Sequence, residues 1–122
     1  MAKVFLDTNK VIDVALRKPE LRKELENHQI VVSPLSIHIL CYADKRKVPD
    51  YRITEFVDQL SIVDLVSELL NKSLYGPTSD LEDNIQLHSA AAAECDYFLT
   101  SDKRLLQIKF FGKTQLVSRL PV

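Results

Sequence analysis

Glycine is scarce in this chain: Gly76 and Gly112 are the only two. Neither belongs to a Gly-rich turn of the kind that lays backbone amides against a phosphate, so the polar chemistry must come from side chains. Cysteine is equally sparse. Cys41 and Cys95 each sit in an apolar helical context without a CxxC partner, which fits two core residues of a reduced protein and not a disulfide framework. Neither sign of charge is in excess. A formal net charge of -1 gives no global basic footprint, and contact with nucleic acid would need a local patch. No stretch approaches the roughly 18 apolar residues of a membrane span. The start Met1-Ala2-Lys3-Val4-Phe5-Leu6 has too few apolar residues before Asp7 to serve as a signal peptide. A soluble, cytoplasmic protein with no membrane association is the expectation.

What is present is an ordinary core. The chain has 122 residues, 46% hydrophobic and 27% charged, enough for one domain covering 1–122 and short for two. Lys3–Leu6, Gln29–Val32, Ser61–Val63, Asp96–Thr100 and Thr114–Val117 read as short β-prone runs. Between them, helical spacing predicts Lys10–Leu16, Pro19 to about Asn27, Pro34 to about Arg46, Ile53–Leu60 and a helix from Leu65 that Tyr75-Gly76-Pro77 breaks. In the third of these, Leu35, Ile39, Leu40 and Ala43 should form the buried face, with Ser33 or Ser36 as cap. Thr78-Ser79-Asp80 starts a long helix through Ala90–Ala93, and Asp102–Gln107 makes a short one. Alternation of strands and helices predicts an α/β fold, a three-layer α/β/α sandwich around a central parallel sheet of four or five strands.

Four stretches set acidic or hydroxyl groups where a strand ends or a helix begins: Phe5-Leu6-Asp7-Thr8-Asn9, Ser33-Pro34-Leu35-Ser36, Asp80-Leu81-Glu82-Asp83 and Leu99-Thr100-Ser101-Asp102. In an open parallel sheet those are the edges where ligands bind. Asp7 or Asp102 alone would serve as a helix cap. Two such endings plus the acidic helix start at Asp83 point instead to carboxylates gathered around a hard divalent metal.

The Asp-Thr-Asn after strand one, the Asp-Leu-Glu-Asp-Asn-Ile-Gln helix start and Asp96-Tyr97-Phe98-Leu99-Thr100-Ser101-Asp102 resemble, in order and over nearly the whole chain, the signatures of a PIN domain. The branch resembled is that of the VapC-type ribonuclease toxins of toxin-antitoxin pairs. The resemblance implies that Asp7, Asp83 and Asp102 are catalytic and bind Mg2+ or Mn2+, with Glu82 as an auxiliary acid in the metal set. Asn9, Ser36, Thr100 and Ser101 would shape the site. It also implies an endoribonuclease acting on single-stranded RNA, an antitoxin protein as partner and a homodimer, for which Leu35–Leu40 or Ile53–Leu60 offer apolar faces. Lys10, Lys103 and Arg104 are candidates for phosphate contacts.

One departure stands out. Aligning the stretch after strand two on Ser33–Ser36 puts Ile39 where the family carries a glutamate. His38 lies about 100° around the helix from it and Asp44 about 140°, so neither replaces it. The alternative is therefore a catalytically impaired PIN-like module that binds RNA or a protein. A third class, phosphoryl transfer on aspartate, would pair Asp7 with Asp64 after strand three, but Leu6 and Asn9 stand where receiver and phosphatase patterns want acids. His28, His38 and His88 have no ligand spacing.

Overall fold

Val4, Phe5 and Leu6 are all fully buried, although successive side chains of a strand point to opposite faces. A strand without a polar side must lie between two apolar layers, and the fold is built around it. The computed structural model describes residues 1–121. Strand β1 (Lys3–Leu6) leads into α1 (Thr8–Ile12), which runs on through a π-helical turn at Asp13–Arg17. A 3-10 turn at Pro19–Leu21 and the short α2 (Arg22–Leu25) return the chain to β2 (Gln29–Val32). Next come α3 (Pro34–Ala43), α4 (Tyr51–Asp58), β3 (Ser61–Ile62) and α5 (Ser67–Ser73). The chain ends with α6 (Leu81–Ala92), β4 (Tyr97–Leu99), α7 (Lys103–Leu106) and the hairpin β5 (Phe110–Phe111) and β6 (Thr114–Val117).

The sheet order is β3-β2-β1-β4-β6-β5. β1 pairs in parallel with β2 from Lys3–Gln29 and with β4 from Val4–Tyr97. All pairings are parallel except β5 with β6. The sheet thus has six strands where the sequence predicts four or five. The addition is Phe110–Phe111, folded back on Thr114–Gln115 through Gly112 at φ 62°; a two-residue strand is too short to show a period.

Alternation along β1 divides the core. Val4 and Leu6 face Val11, Leu40 and Phe56, whereas Phe5 stacks on Phe98 at 5.5 Å between ring centroids and joins Leu87, Leu105 and Leu116. Helices α1–α4 therefore cover one face and α6–α7 the other, with α5 against α6, which makes the three layers. The inward face of α3 differs from the one expected. Ser36 and Leu40 are buried and Ile37 and Cys41 pack on the core, while Leu35 and Ile39 are half-buried and Ala43 is exposed. Ser33 caps the helix by accepting from the Leu35 amide at 3.0 Å. The helix is rotated to bring the Ser36 hydroxyl inward, for a reason given below. Cys95 is buried, and that burial pushes its thiol up to about 12, making it inert. Among the described residues no helix is long and apolar enough to cross a membrane.

β1 is followed outward by β2 and β3, and the chain then crosses to β4 on its other side. The strand order reverses between β1 and β4. In an open α/β sheet the crevice at the carboxyl end of that reversal is where ligands bind.

Candidate active site

Asp7 ends β1 and Thr100-Ser101-Asp102 follows β4, so the two flank the reversal point. Asp7 is 6% exposed. Its Oδ1 accepts from the Thr8 amide at 2.8 Å and its Oδ2 from the Thr100 hydroxyl at 2.7 Å. The Thr100 Oγ1 in turn accepts from the Asp102 amide at 3.0 Å. One buried threonine thereby ties the two carboxylate-bearing loops together. Asp102 caps α7, accepting from the Arg104 amide at 2.8 Å.

The third group comes from the start of α6. Asp80 caps that helix, accepting from the Asp83 amide at 2.9 Å, and leaves Glu82 and Asp83 in the first turn. The turn before it is clamped by buried Asn84, whose Oδ1 accepts from the Thr78 amide and hydroxyl and whose Nδ2 donates to the Ser73 and Thr78 carbonyls. Burial raises the Asp83 carboxyl to about 6, aided by the charges of Asp80, Asp7, Asp102 and Glu82. Burial also raises Asp7, against the Thr100 and Thr8 hydrogen bonds, with Asp102 and Asp80 adding repulsion. Glu82 is raised by burial and then by Asp80 and Asp7, and a hydrogen bond to Thr8 works the other way. Acids from three distant segments thus bear on Asp7, Glu82 and Asp83, whose leading influences are burial, neighbouring carboxylates and hydrogen bonds.

Beneath the acids lies an uncharged floor. Gln86, on the same side of α6 as Glu82 and Asp83, is fully buried. Its Nε2 donates to the Thr8 and Ser36 hydroxyls at 2.9 Å each, and those two oxygens are 3.0 Å apart. This triangle fastens α1, α3 and α6 to one another and explains the rotation of α3. The Gln86 Oε1 is buried without a partner.

The remaining candidates are placed differently. Asn9 and Ser101 are exposed. Lys10 is half-buried and lines a small pocket with Arg119 and Glu24. Lys103 is exposed, and the Arg104 Nε stands 4.0 Å from Asp102 Oδ1 with the arginine side chain 90% exposed. Ile39, one turn beyond Ser36, belongs to neither core cluster. Asp44 is paired with Arg46 at 2.7 Å, away from the acids. Asp64 follows β3, and β2 lies between β3 and β1, so the Asp7–Asp64 pairing that phosphoryl transfer would need is not formed. His88 meets the Gly76 carbonyl at 3.0 Å and Phe111 edge-on at 4.9 Å.

Oxygen donors carrying surplus negative charge suit a hard divalent cation. Among the described residues no three His, Cys, Asp or Glu side chains stand close enough to hold one ion directly. The donor set therefore fits an ion that keeps several of its own waters, as Mg2+ does, and does not fit a closed protein cage.

The fold is a mostly parallel α/β/α sandwich with acidic residues at the strand-order reversal. No family profile and no curated protein sequence matches the chain. Among solved structures it is similar to a chain in the crystal structure of VapBC2 from Rickettsia felis bound to a DNA fragment from their promoter. The TM-score is 0.63 at 17% identity, over 94% of this chain and 97% of that one. The likeness establishes a VapC-like fold.

Proposed function

We propose that this protein is a metal-dependent endoribonuclease that cleaves single-stranded RNA, the toxin of a toxin-antitoxin pair. One observation carries the reading: burial and the charges of neighbouring acids raise the Asp7 and Asp83 carboxyls, with Asp102 among the neighbours of both. The VapC-like fold supports it. Asp7, Asp83 and Asp102, with Glu82 beside them, would hold Mg2+ or Mn2+ in part through the ion's own waters. When bound, such an ion supplies a water of lowered pKa and neutralises charge on the phosphate under attack.

The chain's own residues do the positioning. Thr100 fixes the Asp7 carboxylate and the Asp102 backbone together. The Thr8–Ser36–Gln86 triangle fastens α1 and α3 to α6, the helix that carries Glu82 and Asp83. Lys103 and Arg104, next to Asp102, meet the substrate backbone. In this reading the protein works in the cytoplasm as a homodimer held by an antitoxin.

A second reading rests on Ile39, which leaves α3 without a carboxylate: a PIN-like module that has lost cleavage and binds RNA or a protein. Calorimetric titration of manganese into the wild type and an Asp7→Asn, Asp83→Asn double variant decides between them. The nuclease reading expects binding in the wild type alone, and cleavage of labelled single-stranded RNA that stops on chelation. Absence of manganese binding in both proteins overturns it in favour of the second.

A further inference from the structure

The C-terminal segment has a charge pattern that the acidic site does not use. From Lys103 onward there are five cations, Lys103, Arg104, Lys109, Lys113 and Arg119, and no aspartate or glutamate. The first 102 residues hold the other 11 cations and all 17 acids, so a chain of net charge -1 divides into a body near -6 and an edge near +5. The topology collects that edge in one place, because α7, β5 and β6 form one end of the sheet. All five cations are exposed. Of these five, Arg104 alone comes within 4.0 Å of a carboxylate among the described residues.

Lysines on an edge strand have a structural use, since they discourage edge-to-edge pairing with another sheet. Phe110 contradicts that use. It lies beside Lys109, is 57% exposed, and is one residue from Phe111, which packs on the second core cluster. An aromatic ring placed there restores the adhesive surface that the lysines remove. Opposite it across the hairpin, on the same face, stands Gln115, also exposed. At the turn, the space over Gly112 is open.

The segment also leads somewhere. Lys103 and Arg104 follow Asp102 at the carboxyl edge, and Arg119 follows β6 at that same edge. Phe110 and Lys113 lie at the opposite end of β6, about 13 Å away at strand rise. Positive charge therefore runs from the mouth of the acidic site along α7 on the Phe5 face of the sheet, and Phe110, which shares a face with Gln115 and Tyr97, lies around the β5 edge on the other face. A polyanion repelled by five carboxylates finds its attraction next to them.

We propose that the α7–β5–β6 edge is a binding track for single-stranded nucleic acid, with phosphates on Lys103, Arg104, Lys109 and Lys113 and one base stacked on Phe110. Basic side chains tracking a backbone, combined with an aromatic platform, are how single strands are held without sequence readout. A duplex keeps its base faces stacked inside and cannot use the ring. The track rests on the nuclease reading for where it delivers the strand, and not for the binding itself.

The experiment is fluorescence anisotropy of a short 5′-labelled oligouridylate with the full chain in chelator, where nothing can be cut. Binding should weaken with salt along a log–log slope of about -0.7 per phosphate neutralised. Phe110→Ala should lower affinity about 5- to 100-fold with the slope unchanged, and Phe110→Trp should retain it. Lys109→Asn with Lys113→Gln should flatten the slope by about 1.4; asparagine suits Lys109, whose φ is 69°. Melting curves matching the wild type establish that each variant is folded.

No binding in chelator at low salt overturns the proposal, as does equal affinity for a duplex or an inert Phe110→Ala. Binding of polyglutamate in place of the oligonucleotide, dependent on the same residues, overturns it in favour of an acidic protein partner. If manganese binds but the oligonucleotide does not, the track is wrong and the metal site stands. The reverse result removes the metal site and keeps the track.

Discussion

Asp83→Asn should stabilise the metal-free protein while removing its response to metal. The Asp83 carboxyl is raised from an ordinary value of 3.8 to about 6, first by burial and then by the charges of Asp80, Asp7, Asp102 and Glu82. Read as linkage, the native state binds this proton more tightly than the unfolded chain, so ionisation costs stability as pH rises from about 4 to about 6. At about 1.4 kcal/mol per tenfold change the gap amounts to about 3 kcal/mol. Asp83 is only half-buried, and screening by solvent reduces this to about 1 kcal/mol. Asparagine keeps the shape and removes the charge. In chelator at pH 7.5 the variant should melt about 3–6 °C above the wild type, for a domain of this size, and the difference should vanish as pH falls towards 4. With millimolar manganese the order should reverse, because an ion bound only by the folded state raises the wild-type melting temperature. A variant that melts below the wild type in chelator at pH 7.5 would refute the claim that these carboxylates repel one another without compensation.

Three further outcomes follow from the same geometry. Thr100→Val removes the donor to Asp7 Oδ2 and the acceptor of the Asp102 amide; urea denaturation should show a loss of about 1–3 kcal/mol, larger at pH 7 than at pH 4 because the lost bond favours ionised Asp7. Gln86→Leu removes the amide that donates to both buried hydroxyls, leaving them only each other, and should cost about 1–3 kcal/mol in the same assay, whereas Gln86→Glu, which buries another negative charge below the acids, should cost more at neutral pH than at acid pH. Ile39→Glu should lower the melting temperature in chelator and increase the shift produced by manganese, and an unchanged shift would mean that α3 does not face the ion.

The central strands β1 and β4 are legible because they are covered on both faces and read as unbroken apolar runs. Phe110–Phe111 was not, since two residues carry no period and the pairing is set by the Gly112 turn. Within the site, strand ends located Asp7 and Asp102, but chain proximity proved a poor guide to their neighbours. Asn9 and Ser101 are adjacent to the acids in sequence and face solvent. Asp80 reads as a helix start within an acidic stretch and is not among the expected metal ligands, although its charge bears on Asp7, Glu82 and Asp83. Gln86 went unread as part of the site, and a signal for it existed. It lies four residues after Glu82 and three after Asp83, the spacing that puts side chains on one face of a helix, and a polar residue in phase with the buried side of a helix needs a partner. Which partner, Thr8 or Ser36, depends on how α1 and α3 meet, and no local pattern contains that.

Helix capping explains part of the acidic cluster and fails on the rest. Asp80 and Asp102 accept from the first amides of α6 and α7, a task asparagine or serine performs about as well. Glu82 and Asp83 cap nothing. Their position in the first turn of α6 favours negative charge by about 0.3–1 kcal/mol through the helix dipole, which would hold their carboxyls down. Both are instead raised, so burial and repulsion outweigh the dipole and each charge is a net cost to the folded chain at neutral pH. Thr100 and Thr8 spend their hydrogen bonds keeping Asp7 in the same group. A fold needing only caps has no use for this arrangement, and α3, with Ile39 in place of an acid and Ser36 turned into the floor, adds structure without adding charge. A cation bound between β1 and β4 would offset that cost, as protonation of Asp83 does below about pH 6.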